Sequence, residues 1–173
     1  MGITIDGAGT ITGLDADGIS AQPVFPGNVL QVVHSGLISN PSVGTTSTTG
    51  ADVAAYSLQI TPSAASSKIF VMVSFGIGAG GAGSTMGAFY QLRREISGSS
   101  VALAPDIPNF NYSNAAIGQN AAPSINAITT YNFLDTPNTT AAVKYGIRIR
   151  SGGTNSVFTT GAGFHMTLME IAA

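Results

Sequence analysis

From Asn28 onward, short runs of β-branched, aromatic and other apolar residues alternate with clusters of turn formers. Within the runs the apolar positions recur with period two, the signature of extended chain with one face buried. Seven strands are predicted: Val29–His34, Val53–Ile60, Lys68–Phe75, Gly87–Glu95, Ala127–Leu134, Ala141–Arg150 and Phe164–Ile171. The sixth is the clearest, with Val143, Tyr145, Ile147 and Ile149 on one side and Lys144, Arg148 and Arg150 on the other. In the third, Ile69, Val71, Val73 and Phe75 share a face, while Phe70 and Met72 make the opposite face apolar too. That strand is expected to be buried on both sides.

The separators have their own chemistry. Asn40-Pro41, Thr61-Pro62, Asp135-Thr136-Pro137-Asn138 and Ser151-Gly152-Gly153 combine fixed φ at proline with permissive φ at glycine. Many short strands between such turns predict an all-β antiparallel sandwich or barrel. The stretch from Ala104 to Ser124 carries three prolines and is expected to be a long irregular connection, a kind of segment that often forms interfaces.

The first 26 residues differ from the remainder. Ile3-Thr4-Ile5 and Thr10-Ile11-Thr12 flank Asp6-Gly7-Ala8-Gly9, a tight-turn signal between two very short extended pieces. Pro23 and Pro26 then interrupt regular pairing. The segment is too small for a core of its own. The chain is therefore divided into an extended N-terminal arm, residues 1–26, and a β domain, residues 27–173. The arm is expected to dock on a neighbour through Ile3, Ile5 and Ile11, with a loose tail as the other reading.

Composition changes the picture in one respect. Asp, Glu, Lys and Arg make up 8% of the 173 residues, against about 25% in an ordinary globular domain. Mean hydropathy is +0.31 and formal net charge is −2. The apolar fraction of 44% is ample for a core, so disorder does not follow. Little charge is left to keep identical chains apart in solution, and the simplest consequence is a surface partly covered by other subunits.

Charge also narrows the partners. Six basic residues, with no run longer than Arg93-Arg94, offer no footprint for nucleic acid or an anionic membrane. No stretch approaches the roughly 20 apolar residues of a membrane span, and no basic segment followed by an apolar run marks a secretory signal. Without cysteine there is no disulfide, thiolate or Cys-ligated metal. The sequons at Asn111 and Asn138 are read as chance in a chain rich in Asn and Thr.

Candidate chemistry is thin. Gly76-Ile77-Gly78-Ala79-Gly80-Gly81-Ala82-Gly83 satisfies G-x-G-x-x-G twice after an apolar strand. A dinucleotide site would need strand–helix alternation beyond it, which is missing, although Met86, Phe89, Leu92 and Ile96 have a helical spacing and Asp106 lies at a plausible distance. The run is therefore expected to be a flexible connection between two strands. His34 and His165 lie far apart in sequence with no nucleophile motif. Asp15 and Asp17 before Gly18 lack the third acid and the distal Glu of a calcium loop. Arg93, Arg94 and Glu95 form the one charge cluster, read as an inter-strand or inter-subunit ion pair in preference to a substrate site. No catalytic residue, metal or cofactor is expected.

A resemblance adds to this reading. Gly27-Asn28-Val29-Leu30-Gln31-Val32-Val33, then Leu58 to Val73 through Thr61-Pro62-Ser63-Ala64-Ala65-Ser66-Ser67, is similar to a module common in tailed-phage virion proteins. Those proteins also carry pieces like Tyr90-Gln91-Leu92-Arg93-Arg94, the Leu134 to Pro137 turn, the Lys144 to Arg150 strand and the closing Thr167 to Ile171. Ile3 to Leu14 looks like the opening of some phage fibre proteins. The resemblance spans most of residues 27–171 and implies a non-enzymatic phage structural protein on the virion exterior, a homotrimer of jelly-roll-like β-sandwiches. Two positions fit it. A head cement or decoration protein would bind its own copies and the major capsid protein or other virion proteins. A short tail fibre or spike tip would bind a host-surface receptor. A depolymerase would want paired carboxylates flanking a sugar, and the acids here are scattered singly.

Overall fold

In a computed structural model, the described residues are 4–5, 11–12, 26–38, 43–80, 85–103, 107–113, 124–152 and 156–173. The regular elements are all strands: β1 (Thr4–Ile5), β2 (Ile11–Thr12), β3 (Val29–His34), β4 (Gly44–Thr45), β5 (Ala51–Ile60), β6 (Lys68–Gly80), β7 (Thr85–Ile96), β8 (Ser99–Ala102), β9 (Ile107–Ser113), β10 (Ser124–Asp135), β11 (Val143–Ser151) and β12 (Ser156–Ile171). Strands β1 and β2 pair with each other, Thr4 opposite Thr12 and Ile5 opposite Ile11, as the turn signal between them requires.

The other strands form two antiparallel sheets packed face to face. Sheet one has the order β10-β6-β12-β3, with β4 beside the far end of β12; sheet two has the order β5-β11-β7-β8, with β9 beside the other half of β7. Successive long strands change sheet at nearly every connection, and the first and last strands of the sandwich, β3 and β12, lie side by side. This is the strand order of a jelly roll, in which two sheets share one core and the chain winds around it.

The core is what the period-two reading predicts. Ile69, Val71, Val73, Phe75 and Ile77 of β6 and Phe164, Met166 and Leu168 of β12 meet Val143, Tyr145, Ile147 and Ile149 of β11 and Tyr90 and Leu92 of β7. Tyr56 from β5 stacks on Phe164, with centroids 4.5 Å apart, and Phe75 meets Tyr90 edge to face at 5.3 Å. Each such aromatic contact adds about 1 kcal/mol beyond the area buried.

Three expectations need correction. The glycine run is not a connection as far as Gly80: β6 continues through it, paired to β10 on one side and β12 on the other. Ile77 and Ala79 keep the inward phase of the strand, so two flanking ladders override the weak strand propensity of glycine. Residues 81–84 lie outside the described residues. Strand β7 occupies the segment whose spacing also fits a helix, and among the described residues no helix N-terminus follows the glycines to receive a pyrophosphate. Part of the expected irregular connection is strand β9, which pairs with β7 from Thr85 to Tyr90.

The third correction concerns β6 itself. Its inner residues are buried, but Phe70 and Met72 on the opposite side are only half-buried. Among the described residues, no element packs over that face as the second sheet packs over the first.

Candidate functional site

Alternation along β6, β10, β12 and β3 places a neutral surface on the outside of sheet one. Leu134, Phe70, Met169 and Val32 are successive register neighbours across its four strands. Leu134 is 49% exposed and Val32 57%, so the ends of this apolar row are open to water. Ile171 and Val29 continue it on one side, and Asn132, Met72, Thr167 and His34 form the next row on the other. Further along, Ile128 stands 71% exposed opposite Gly76. Lys68, at the end of β6, is the one Lys, Arg, Asp or Glu on this face among the described residues.

The two histidines of the sequence also lie here. Strand pairing brings His34 and His165 together, rings stacked at 6.2 Å, and His34 Nδ1 lies 3.0 Å from Thr167 Oγ1. Among the described residues no carboxylate bonds to either ring, so a triad is not assembled.

Sheet two presents the opposite chemistry. Lys144 and Glu95, direct register partners on β11 and β7, form an ion pair at 2.6 Å. Arg93 and Arg148 approach the same Asp52 Oδ1, at 3.8 and 3.6 Å. Arg93 also donates to Gln91 Oε1 at 2.8 Å and to the hydroxyl and carbonyl of Ser100 at 2.9 and 3.1 Å. The Arg150 guanidinium lies over the Phe89 ring at 3.9 Å, a cation–π contact.

At one end of the sandwich, two polar clusters close the core. Asp135, 6% exposed, projects inward from β10. It accepts both carboxylate contacts of Arg94, at 2.9 and 3.0 Å, and the Tyr145 hydroxyl at 2.7 Å. Burial, then the carboxylate to which it donates, pushes the Tyr145 phenol well above its ordinary range, with Arg94 opposing. The cluster ties sheet one to sheet two, since Arg94 and Tyr145 both come from the facing sheet.

Glu170, on the same inner row of sheet one, holds the second cluster. It accepts the Ser63 backbone N–H at 2.7 Å, the Ser63 hydroxyl at 2.6 Å and the Gln31 amide at 2.6 Å. Gln31 also donates to the Thr61 carbonyl at 2.7 Å, pinning the β5–β6 turn onto the sheet edge. Burial alone would raise the carboxyl pKa of Glu170, but the donors around it, Ser63, Ser67 and Gln31, win and lower it to about 2.

The expected interface residues therefore separate. Arg94 turns inward to Asp135, while Arg93 and Glu95 turn outward to Ser100 and Lys144; alternation of a strand splits three neighbours between two faces. Ile5 and Ile11 are partners in the β1–β2 pair, and Ile3, Asp15, Asp17 and Asp106 lie outside the described residues. Asp135, Tyr145, Gln31, Ser63 and Glu170 were not singled out by reasoning on residue chemistry. Each is a polar residue whose partners lie on other strands or turns, so spacing within one strand carries no signal for it.

No family model and no curated protein matches the chain. Among solved structures it is similar to the Eiger TNF of S. frugiperda, with a TM-score of 0.45 and 10% identity over 84% of this chain and 94% of that one. It is similar also to a protein of infectious bursal disease virus, Gx strain (TM-score 0.40, 10% identity, 82% of this chain). A chain of the T13 particle of that virus gives a TM-score of 0.41 at 12% identity over 85% of this chain. The chain spans 37% and 36% of the length of the two virus proteins.

Proposed function

We propose that this chain is a non-enzymatic structural protein of a tailed-phage virion, a homotrimeric cement or decoration protein on the capsid exterior. The observation that carries the reading is the outer face of sheet one. Registered apolar residues cross four strands there with one ionised neighbour among the described residues, in a chain only 8% charged. A face of that kind is stable in water when like chains or other virion proteins cover it. The phage-like segments supply the virion context. The residue 1–26 arm, with Ile3, Ile5 and Ile11, is the element assigned to docking on a neighbour, and the major capsid protein is the expected partner. Cement function then means adding buried area where capsid subunits meet, against the pressure of packaged DNA.

The same segments, and the fibre-like Ile3 to Leu14, favour a second reading: a short tail fibre or spike tip that contacts a host-surface receptor. Copy number separates the two. Densitometry of virion proteins should give hundreds of copies per particle for cement, whereas a few dozen would replace that reading with the fibre. Light scattering on the purified chain should give a trimer, and a stable monomer at micromolar concentration would remove the basis of both.

A further inference from the structure

The charges of sheet two are unevenly compensated. An open depression of about 320 Å³ beside β7 and β11 is lined by Thr48, Thr49, Gln91, Arg93, Arg148 and Arg150, with no acid among the described residues of its wall. Three arginines line one region, and the carboxylate paired with two of them, Asp52, is 62% exposed and shared between Arg93 and Arg148 at 3.8 and 3.6 Å. Lys144 does not relieve or add to the imbalance, being paired with Glu95.

The three arginines are not equivalent. Arg93 is committed to Gln91 and Ser100. Arg150 rests on Phe89 and donates to the Ser151 carbonyl at 3.3 Å. Arg148 has only its long approach to Asp52, its buried Nε lacks a hydrogen-bond partner, and no acceptor meets its terminal nitrogens among the described residues. It packs close to the backbone at Gly50: a Cβ there, at φ +94, would come to 3.0 Å from Arg148 Nε and 3.2 Å from its Cδ, so the arginine lies where a side chain at position 50 would stand. A positioned guanidinium fork with open donors, flanked by two more cations and two threonines, has the chemistry that recognises planar or tetrahedral oxygen anions.

We propose that this depression is an oxyanion site, taking a phosphate, sulfate or carboxylate group on Arg148, with Arg150 and Arg93 supplying further positive charge and the hydroxyls of Thr48 and Thr49, the latter shared with Ser47 Oγ at 2.9 Å, beside it. The group could arrive as a free ion or on an anionic polymer, and the proposal stands apart from the virion reading.

The test is calorimetric titration of the full chain with inorganic phosphate and, separately, with dextran sulfate, both at constant ionic strength. Arg148→Gln and Arg150→Gln should each weaken binding about ten-fold, while Lys144→Gln, which removes a cation outside the depression, should leave it unchanged. Thermal melts check that each variant is folded; should Arg148→Gln fail to fold, Arg150→Gln and Thr49→Val carry the comparison. Binding of phosphate identifies a free-ion site, and binding of dextran sulfate alone identifies a polymer-borne group. Absence of binding by both probes, or equal loss in Lys144→Gln and the arginine variants, overturns the proposal.

Discussion

The two outer faces of this sandwich are built from the same alternating strands and yet differ in almost every chemical respect. Sheet two carries Asp52, Arg93, Glu95, Lys144, Arg148 and Arg150, largely paired across strands. Sheet one carries Leu134, Phe70, Met169, Val32, Met72 and Ile128, with Lys68 at its margin. Exposed ion pairs contribute little to folding, about 0 to 1 kcal/mol each; their effect on sheet two is to keep that surface wet. A face without them has lost the feature that prevents association. The asymmetry is therefore one of hydration: the described residues of sheet two hold charge at the surface, and those of sheet one expose apolar side chains.

Adjacent residues of β10 give the sharpest way to break that contrast, because Asp135 points into the sandwich and Leu134 out of it. Asp135→Ala should cost about 3 kcal/mol of folding stability in denaturant titration, since Arg94 and the Tyr145 hydroxyl lose their shared acceptor inside the sandwich. Leu134→Asp should leave the folded subunit intact and weaken self-association by about 2 kcal/mol per contact, roughly 30-fold. Sedimentation at several concentrations would register that change, and an unaltered association state would exclude the outer row of sheet one from any contact between copies.

A smaller effect should come from acid. Glu170 has a folded-state pKa of about 2 against an ordinary 4.5, so its contribution is complete above pH 4.5 and fades as pH falls toward 2. At a site this close to the sandwich rim the loss should be about 1 to 2 kcal/mol. Thermal melts across that window should show it in the native chain and show a flatter profile in Glu170→Gln. Smallest of all, Lys144→Gln on sheet two should change stability by less than about 0.5 kcal/mol and leave the oligomer unaltered.

Much of the fold was legible because strand alternation is a local property. Val143 to Ile149 announced both the strand and its buried face, and the turn clusters located most of the strand ends. The glycine run misled because a single strand's propensity says nothing about ladders on either side: Gly76 to Gly80 are extended since β10 and β12 pair with them. The same limit applies to β9, whose residues Ile107 to Ser113 gain their strand from β7.

What the sequence determined by itself was an all-β chain with a period-two core and a charged fraction of only 8%. Only tertiary structure decided which strands are neighbours, and with them the Leu134–Phe70–Met169–Val32 row, the His34–His165 stack and the Asp135 and Glu170 clusters. The reason is physical. Facing direction follows from residue spacing within one strand, whereas a surface or a cross-link is made by residues that are distant in sequence, Gln31 and Glu170 or Arg94 and Asp135, and the winding of the chain between the two sheets brings them together.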